Sequence, residues 1–283
     1  VGKDISGAEL EKSFDAIFLG IGLTTGTRLN IPGEQLPEVV EALDFIEQIH
    51  SQPLHEVSVG RLVAVIGGGN TAIDAVTQAL RLGAEKAVLI YRRGQEEMPA
   101  YEFEQELART DGAEFLLHAI PLEIVADKDG HVAGIKLART TTVNGALQPV
   151  PGSEWVQPFD MVIKAIGEQK QGAFLKKLFP ALELDKRGVV VNNRETGQTS
   201  IPRVFTGGDC ANGGREVVNA VAEGKKAARG IHAFFEGQSI SGPLQPSRLG
   251  VKGAPIGSGY DRPIRVCELE EEYAASPNGK VNI

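Results

Sequence analysis

An α/β architecture, with parallel strands in two units and one unit set inside the other, is what this sequence predicts. Three observations carry the prediction. The stretch RLVAVIGGGNTAIDAVTQALRLGAEKAVLIYRR, residues 61–93, runs strand, glycine turn, helix, strand. The octapeptide DAIFLGIG at 15–22 returns as DMVIKAIG at 160–167, so two strands of one design flank that unit. Residues 201–237, IPRVFTGGDCANGGREVVNAVAEGKKAARGIHAFFEG, then add a strand, a Gly-Gly-Asp turn and a long helix. They read as the return of the unit begun before residue 61. Together the three predict two Rossmann-like nucleotide-binding domains.

Bulk composition agrees. A chain of 283 residues, 42% hydrophobic and 23% charged, has room for about two cores. A net charge of −8 argues against nucleic acid or an anionic membrane as partner. Apolar runs such as AIFLGIGL are too short to span a bilayer, and no charged-then-apolar leader suggests secretion. The two cysteines, Cys210 and Cys267, stand far apart. A reducing, cytoplasmic setting is therefore expected, without a disulfide framework, a redox dithiol or an iron–sulfur ligand set. The five histidines show no metal-ligand spacing, and none is expected to hold a metal.

In chain order, residues 15–22 form a strand ending on a small-residue turn at Gly22, where the backbone can pass close to a ligand. NIPGEQLPEVVEALDFIEQIHS, from residue 30, reads as a link. Residues 62–66, LVAVI, suit a central parallel strand. The strand ends in Gly67-Gly68-Gly69-Asn70-Thr71-Ala72, a G-x-G-x-x-A pattern. Gly67 permits the tight turn and Gly69 lets a pyrophosphate approach the backbone. Ala72 keeps helix and strand close, and the helix N-terminus offers free N–H groups to phosphate. Ala72, Ile73, Val76, Ala79 and Leu80 form the predicted buried stripe, and Gly83 marks the helix end. Residues 87–91 supply the next strand. Where an NAD-selecting fold often has an acid, the chain has Arg92-Arg93. Two guanidiniums suit a 2′-phosphate and favour NADP(H) over NAD(H), while Glu96, Glu97 and Glu102 dilute the charge.

A helix at PAYEFEQELART, antiparallel strands turning at Asp129-Gly130 and a tight turn at Asn144-Gly145 follow. DMVIKAIG then ends at Gly167. In the last unit Asp209 stands at a strand end, able to accept hydrogen bonds from the hydroxyls of a sugar-like chain. The helix after it carries Val217, Val218, Val221, Ala222 and Ala228 as apolar residues, and its N-terminus can stabilise negative charge. Cys210 reads as a packing thiol. Beyond Gly237 the chain is Gly-, Pro- and Ser-rich, an extended tail with a short acidic helix near Glu268.

VIGGGNTAIDA, YRRGQEEMPA, DMVIKAIG and RVFTGGDCANGGREVVNAVAEGKKAA, in that order, resemble the flavin- and pyridine-nucleotide-dependent oxidoreductases related to the glutamate synthase small subunit. The same module is found in dihydropyrimidine dehydrogenase. The resemblance spans residues 1–237. It implies two glutathione-reductase-like domains, the NAD(P) domain inserted into a partial FAD domain. Residues 1–57 and 169–240 would be the two pieces of the FAD domain, 58–168 the NAD(P) domain and 241–283 the tail. By carry-over, Gly67–Ala72 (Gly68, Asn70 and Thr71 included), Arg92, Arg93 and Gly167 would bind NADP or NAD. Gly22 would border the FAD region, and Gly208, Asp209, Val217 and Val218 would contact FAD. The family's FAD-binding G-x-G-x-x-G and cysteine-rich iron–sulfur segment have no counterpart in this sequence. FAD is therefore expected to bind only together with a further segment. The implied activity passes hydride from NAD(P)H to FAD and electrons on to iron–sulfur centres or a large catalytic subunit, with no side chain acting as acid, base or nucleophile. The alternative is a non-catalytic NAD(P)-binding or assembly fragment. A disulfide reductase lacks its cysteine pair.

Overall fold

Strands are numbered along the chain of a computed structural model that describes residues 1–238, which make up one compact unit. Helix α1 (Gly7–Ser13) precedes β1 (Ile17–Leu19), β2 (Thr24–Gly26) and β3 (Val39–Glu41). Helix α2 (Ala42–Ser51), β4 (Leu62–Gly67), α3 (Asn70–Arg81), β5 (Lys86–Tyr91), α4 (Glu102–Thr110) and β6 (Glu114–Leu117) follow. Next come β7 (Ala119–Ala126), β8 (Val132–Val143), β9 (Ala146–Pro149), β10 (Trp155–Gln157), β11 (Met161–Ala165) and β12 (Glu168–Gln169). Helix α5 (Gly172–Leu178), β13 (Val204–Thr206), α6 (Asp209–Asn212) and α7 (Val217–Glu236) complete the described residues. The expected tail helix near Glu268, and Cys267, lie outside them.

The central sheet has the order β3-β11-β4-β5-β6, parallel throughout. Successive side chains of a strand face opposite ways, so a strand covered on both faces is apolar at every position. Val63 and Val65 of β4 accordingly enter a core with α2 and α3 that includes Phe45, Val76 and Leu89. Ala64 and Ile66 enter the opposite core, against Ile124, Ile135 and Leu137 of the antiparallel β10-β8-β7 sheet. Helix α3 stops in a paired arrangement: Ala84 N donates to the Ala79 carbonyl at 3.1 Å and Gly83 N to the Leu80 carbonyl at 3.0 Å. Gly83, with φ 108, supplies the left-handed residue this ending requires. Asn144 and Gly145, both with positive φ, join β8 to β9.

Two readings change. The segment read as a link contributes the edge strand β3 and helix α2 to the central sheet and its core. Ala42, Phe45 and Ile49 recur at helical spacing there and give α2 a face to bury. Likewise β6 continues the parallel sheet, so the antiparallel excursion begins at β7.

The remaining strands pair differently. β1 and β13 form a parallel pair, with Ile17 opposite Val204. Leu19, Leu175, Phe179, Leu182 and Val204 make a third core beside them. Helix α7 turns Ala227, Gly230 and Ala233 inward. Val217, Val218 and Val221, read as part of its apolar set, are exposed at 79%, 68% and 51%, and Ala228 is exposed too. The small residues win because α7 lies so close to its neighbour that a Cβ at Gly230 would overlap the Thr196 carbonyl. Finally β12 pairs antiparallel with β2, setting the chain's two crossings between the central sheet and the β1–β13 half side by side.

Candidate nucleotide site

At the C-terminal ends of the parallel strands lies a cleft of about 1120 Å³. Its position follows from strand order. From β4 the chain moves one way, through α3 to β5 and β6, and comes back on the other side as β11. The strand ends diverge there, at the switch point where α/β sheets take ligands.

Gly67, Gly68, Gly69 and Thr71 line this cleft. Gly67 has φ 152, and a Cβ on it would overlap the Ala165 carbonyl of β11. Gly68 lies against the Tyr91 ring, and its carbonyl accepts from Ala100 N at 3.2 Å. Gly69 caps α3 without a side-chain bond; its carbonyl accepts from Ala72 N at 2.9 Å and Ile73 N at 3.2 Å, which leaves the amides of Asn70 and Thr71 without an acceptor among the described residues. Asn70 and Ala72 do not line the cleft. The Asn70 Oδ1 accepts from Tyr101 N at 3.1 Å, tying the turn to the start of α4, and Ala72 is fully buried against the strands.

Arg92 and Arg93 line the cleft beyond β5, both exposed. Their backbones are fixed: the Arg92 carbonyl accepts from Thr140 Oγ1 at 2.7 Å and the Arg93 carbonyl from His118 N at 3.1 Å. Arg93 Nη1 stands 3.8 Å from Glu97 Oε1. Arg92 makes no ion pair with any described residue.

Gly167, at φ 94, and Glu168 bound the other end. The Glu168 carboxyl is pushed above its ordinary range, by burial first and then by the negative charge of Asp209. The chain that follows the Gly208–Asp209 turn reaches the cleft: a Cβ on Gly214 would meet Leu23 Cδ1 at 3.3 Å, and Leu23 lines the cleft. Gly208 N donates to Glu223 Oε2 at 2.7 Å, and Asn212 Nδ2 donates to the same oxygen at 3.1 Å. Asp209 Oδ1 accepts from Arg215 N at 3.1 Å. Gly22 has φ 65 and open space around it. Gly22, Gly208, Asp209, Val217 and Val218 are not part of the cleft wall. They gather instead at the β1, β13 and α7 end.

Sequence reasoning missed a buried charge cluster. Lys164 Nζ of β11 donates to Glu34 Oε1 at 2.9 Å and to Glu41 Oε1 at 2.6 Å. Burial alone would lower the ammonium's pKa; the hydrogen bonds to Glu41 and Glu34 outweigh it, raising the value and keeping Lys164 charged. Burial pulls Glu34 upward, but Lys164 and the amides of Leu29 and Asn30 hold it below its ordinary range. A lysine inside an otherwise apolar strand was the available signal. The sequence also passed over Glu223. Cys210 is buried, its Sγ 3.2 Å from the Leu19 carbonyl, as a packing thiol should be. Among the described residues no group of three or more His, Cys, Asp or Glu could hold a metal ion, and no helix is long and apolar enough to cross a membrane.

Comparison with known proteins shows the family and the fold. A family model described as pyridine nucleotide-disulphide oxidoreductase matches residues 2–224. The putative oxidoreductase AegA of Escherichia coli K12 is 37% identical over 264 residues, covering 85% of this chain and 39% of that protein. The glutamate synthase [NADPH] small chain of the same organism is 34% identical over 256 residues, covering 83% and 54%. This chain therefore spans about half or less of these relatives' own length. Among solved structures, Mycobacterium tuberculosis FprA in complex with NADPH superposes with a TM-score of 0.62 at 21% identity, over 86% of this chain and 69% of that one. At that identity it shares the fold.

Proposed function

Because the chain belongs to the pyridine nucleotide-disulphide oxidoreductase family, we propose that it is the nucleotide and flavin module of a larger NAD(P)H-dependent oxidoreductase. One observation carries the reading: the glycine turn after β4 opens on a switch-point cleft whose far end is lined by Glu168 and by Leu23, and Leu23 packs against Gly214 of the segment between the Asp209 turn and α7. A dinucleotide laid along that cleft has its phosphates at the α3 N-terminus and its adenosine end at Arg92 and Arg93. The names of two relatives, the glutamate synthase [NADPH] small chain and the NADP(+)-dependent formate dehydrogenase subunit beta, favour NADPH as the donor. NADH is the alternative. In this reading the nucleotide unit is residues 58–168 together with β3 and α2, and the flavin unit is the two flanking pieces.

The flavin-side residues suit FAD. Asp209 is an acceptor for ribityl hydroxyls, and Glu216 leaves the N-terminus of α7 without a side-chain cap. Bound there, FAD would supply the two-electron and one-electron redox chemistry. The chain's own residues bind, orient and exclude water; none is required to hold a proton. The acceptor we propose is an iron–sulfur or large catalytic subunit, since relatives carry names such as small chain and subunit beta. The buried thiol of Cys210 fits a reducing cytoplasm.

A second reading, a nucleotide-holding fragment without chemistry, is favoured by the flavin-side sheet, which has two strands among the described residues. A visible spectrum of the purified chain with added FAD, before and after anaerobic NADPH or NADH, separates the two. Flavin bands that bind and bleach support the module. A chain that binds NADP+ yet takes up no FAD supports the fragment, and a chain that binds neither refutes both.

A further inference from the structure

We propose that Glu41 and Lys164 read the carboxamide of the nicotinamide ring, Lys164 donating to its oxygen and Glu41 accepting from its amino group. The pair thereby admits nicotinamide and rejects the nicotinic acid form. This rests on the dinucleotide reading of the cleft and adds what sets its ring-end specificity.

The argument starts from a cost. Two carboxylates are gathered on one ammonium whose side chain is 8% exposed, and removing ions from water is unfavourable unless each lone pair and proton is used. Glu34, 4% exposed, is fully used: Oε1 accepts from Lys164 and from Leu29 N at 2.8 Å, and Oε2 from Asn30 N at 2.9 Å. The other two are not, and the Glu41 side chain is 24% exposed, so its free oxygen is open to solvent or a ligand. An ammonium has three protons, and described residues take two of them, through Glu34 and Glu41. Glu41 gives Oε1 to Lys164, while its Oε2 accepts from no described residue.

Placement singles out the same pair. Lys164 and Glu41 line the large cleft; Glu34 does not. Space is made for the Glu41 carboxylate by Gly26, where any Cβ would overlap Oε2. Lys164 stands level with Glu41 on β3 and with Ile66 on β4, one residue before Gly67. Glu41 is three strands from β5, about 14 Å at the usual strand spacing, on the opposite side of the phosphate turn from Arg92. A ligand with its 2′-phosphate end at Arg92 therefore meets this pair with its other end. One spare donor beside one spare anionic acceptor is the complement of a primary amide. A ring carboxylate would instead face Glu41 charge to charge.

The test is calorimetric titration of the purified chain with three ligands, for wild type and Glu41→Gln. The ligands are NADP+ or NAD+, whichever binds tighter, its nicotinic acid form, and the matching ADP-ribose that lacks the ring. Wild type is expected to prefer nicotinamide over nicotinic acid by about tenfold or more. Glu41→Gln should bring that ratio below about threefold and leave the ring-less ligand unchanged, which also shows that the variant is folded. An unaltered ratio in the variant, or equal weakening of the ring-less ligand, overturns the proposal. If wild type binds none of the three, the cleft reading itself falls, and this inference with it. If only the ring-less ligand and the nicotinic acid form bind well, the cleft reading stands and the ring assignment is wrong.

Discussion

A Gly69→Ala substitution would place one methyl group on the cleft wall and disturb little else. Gly69 precedes α3 at φ −89 and ψ 177, a conformation any residue adopts. A Cβ there meets only Pro99 Cγ, at 3.9 Å. Its cost to the fold is the loss of a glycine cap in favour of alanine, about 0.5–1 kcal/mol, or about 1–4 °C in Tm for a chain of this size. Gly67 is the contrasting case. Its φ of 152 is rare for a side-chain-bearing residue, and its Cβ would run into β11 at the Ala165 carbonyl. Gly67→Ala should cost the fold about 1–3 kcal/mol through overpacking.

For the bound nucleotide the ranking reverses. A phosphate held by the first-turn amides must approach the Gly69 backbone, and a methyl group pushes it away. Loss of one charge-assisted hydrogen bond is worth about 1.5–3 kcal/mol, about 10- to 100-fold in Kd. Calorimetric titration with NADP+ alongside a thermal melt separates these effects. Gly69→Ala should melt within about 4 °C of wild type and lose affinity, whereas Gly67→Ala should lose its melt first. If Gly69→Ala binds within about twofold of wild type, the turn is not where the phosphates lie. If it melts more than about 5 °C lower, the steric accounting is wrong.

Arg92, with no ion pair among the described residues, is the better candidate for a 2′-phosphate. Arg92→Ala should weaken NADP+ about tenfold while changing NAD+ less than about twofold; equal weakening of both would remove the phosphate role. Arg93→Ala should cost less, because Glu97 already faces its guanidinium at 3.8 Å. Away from the cleft, His131 hydrogen-bonds Glu38, which raises the imidazole pKa above 6.5. Glu38 is held below its ordinary range, by the amide of Val132 first and then by His131. With the folded histidine value raised, the pair's contribution is complete below 6.5 and disappears as pH rises through the folded value. It also fades in acid as Glu38 protonates. His131→Gln should therefore lower Tm most between those two values and not at all in base. An NMR titration of His131 at or below its ordinary value in wild type would contradict this.

How much was legible depended on whether the deciding contact was local. β4, the glycine turn, α3 and β5 could be read because burial on both faces makes a strand uniformly apolar and a tight turn requires glycine at Gly67. β3 could not: three residues between Glu38 and Ala42 are too few to show a period, and the strand exists because β11 pairs with it. The Lys164–Glu34 bond joins residues 130 positions apart, so only the odd lysine in β11 hinted at it. In α7 hydrophobicity pointed the wrong way. The valines mark the exposed turn, while Ala227 and Gly230, small and weakly hydrophobic, mark the side that packs.

The repeated octapeptide has a further consequence in three dimensions. Each copy ends on a positive-φ glycine, Gly22 and Gly167, and each is followed by one strand of the β2–β12 pair. Thr27 N donates to the Gly167 carbonyl at 2.8 Å, and Gln171 Nε2 donates to the carbonyls of Ile21 and Leu23 at 3.1 and 3.2 Å. The two exits are thus stitched together rather than merely alike. In the proposed reading, a dinucleotide at the end of β11 and a flavin at the end of β1 would share a border, because the backbone at one exit is bonded to the backbone at the other. On that proposal the crossing itself would supply the proximity and orientation that hydride transfer needs, with no catalytic side chain.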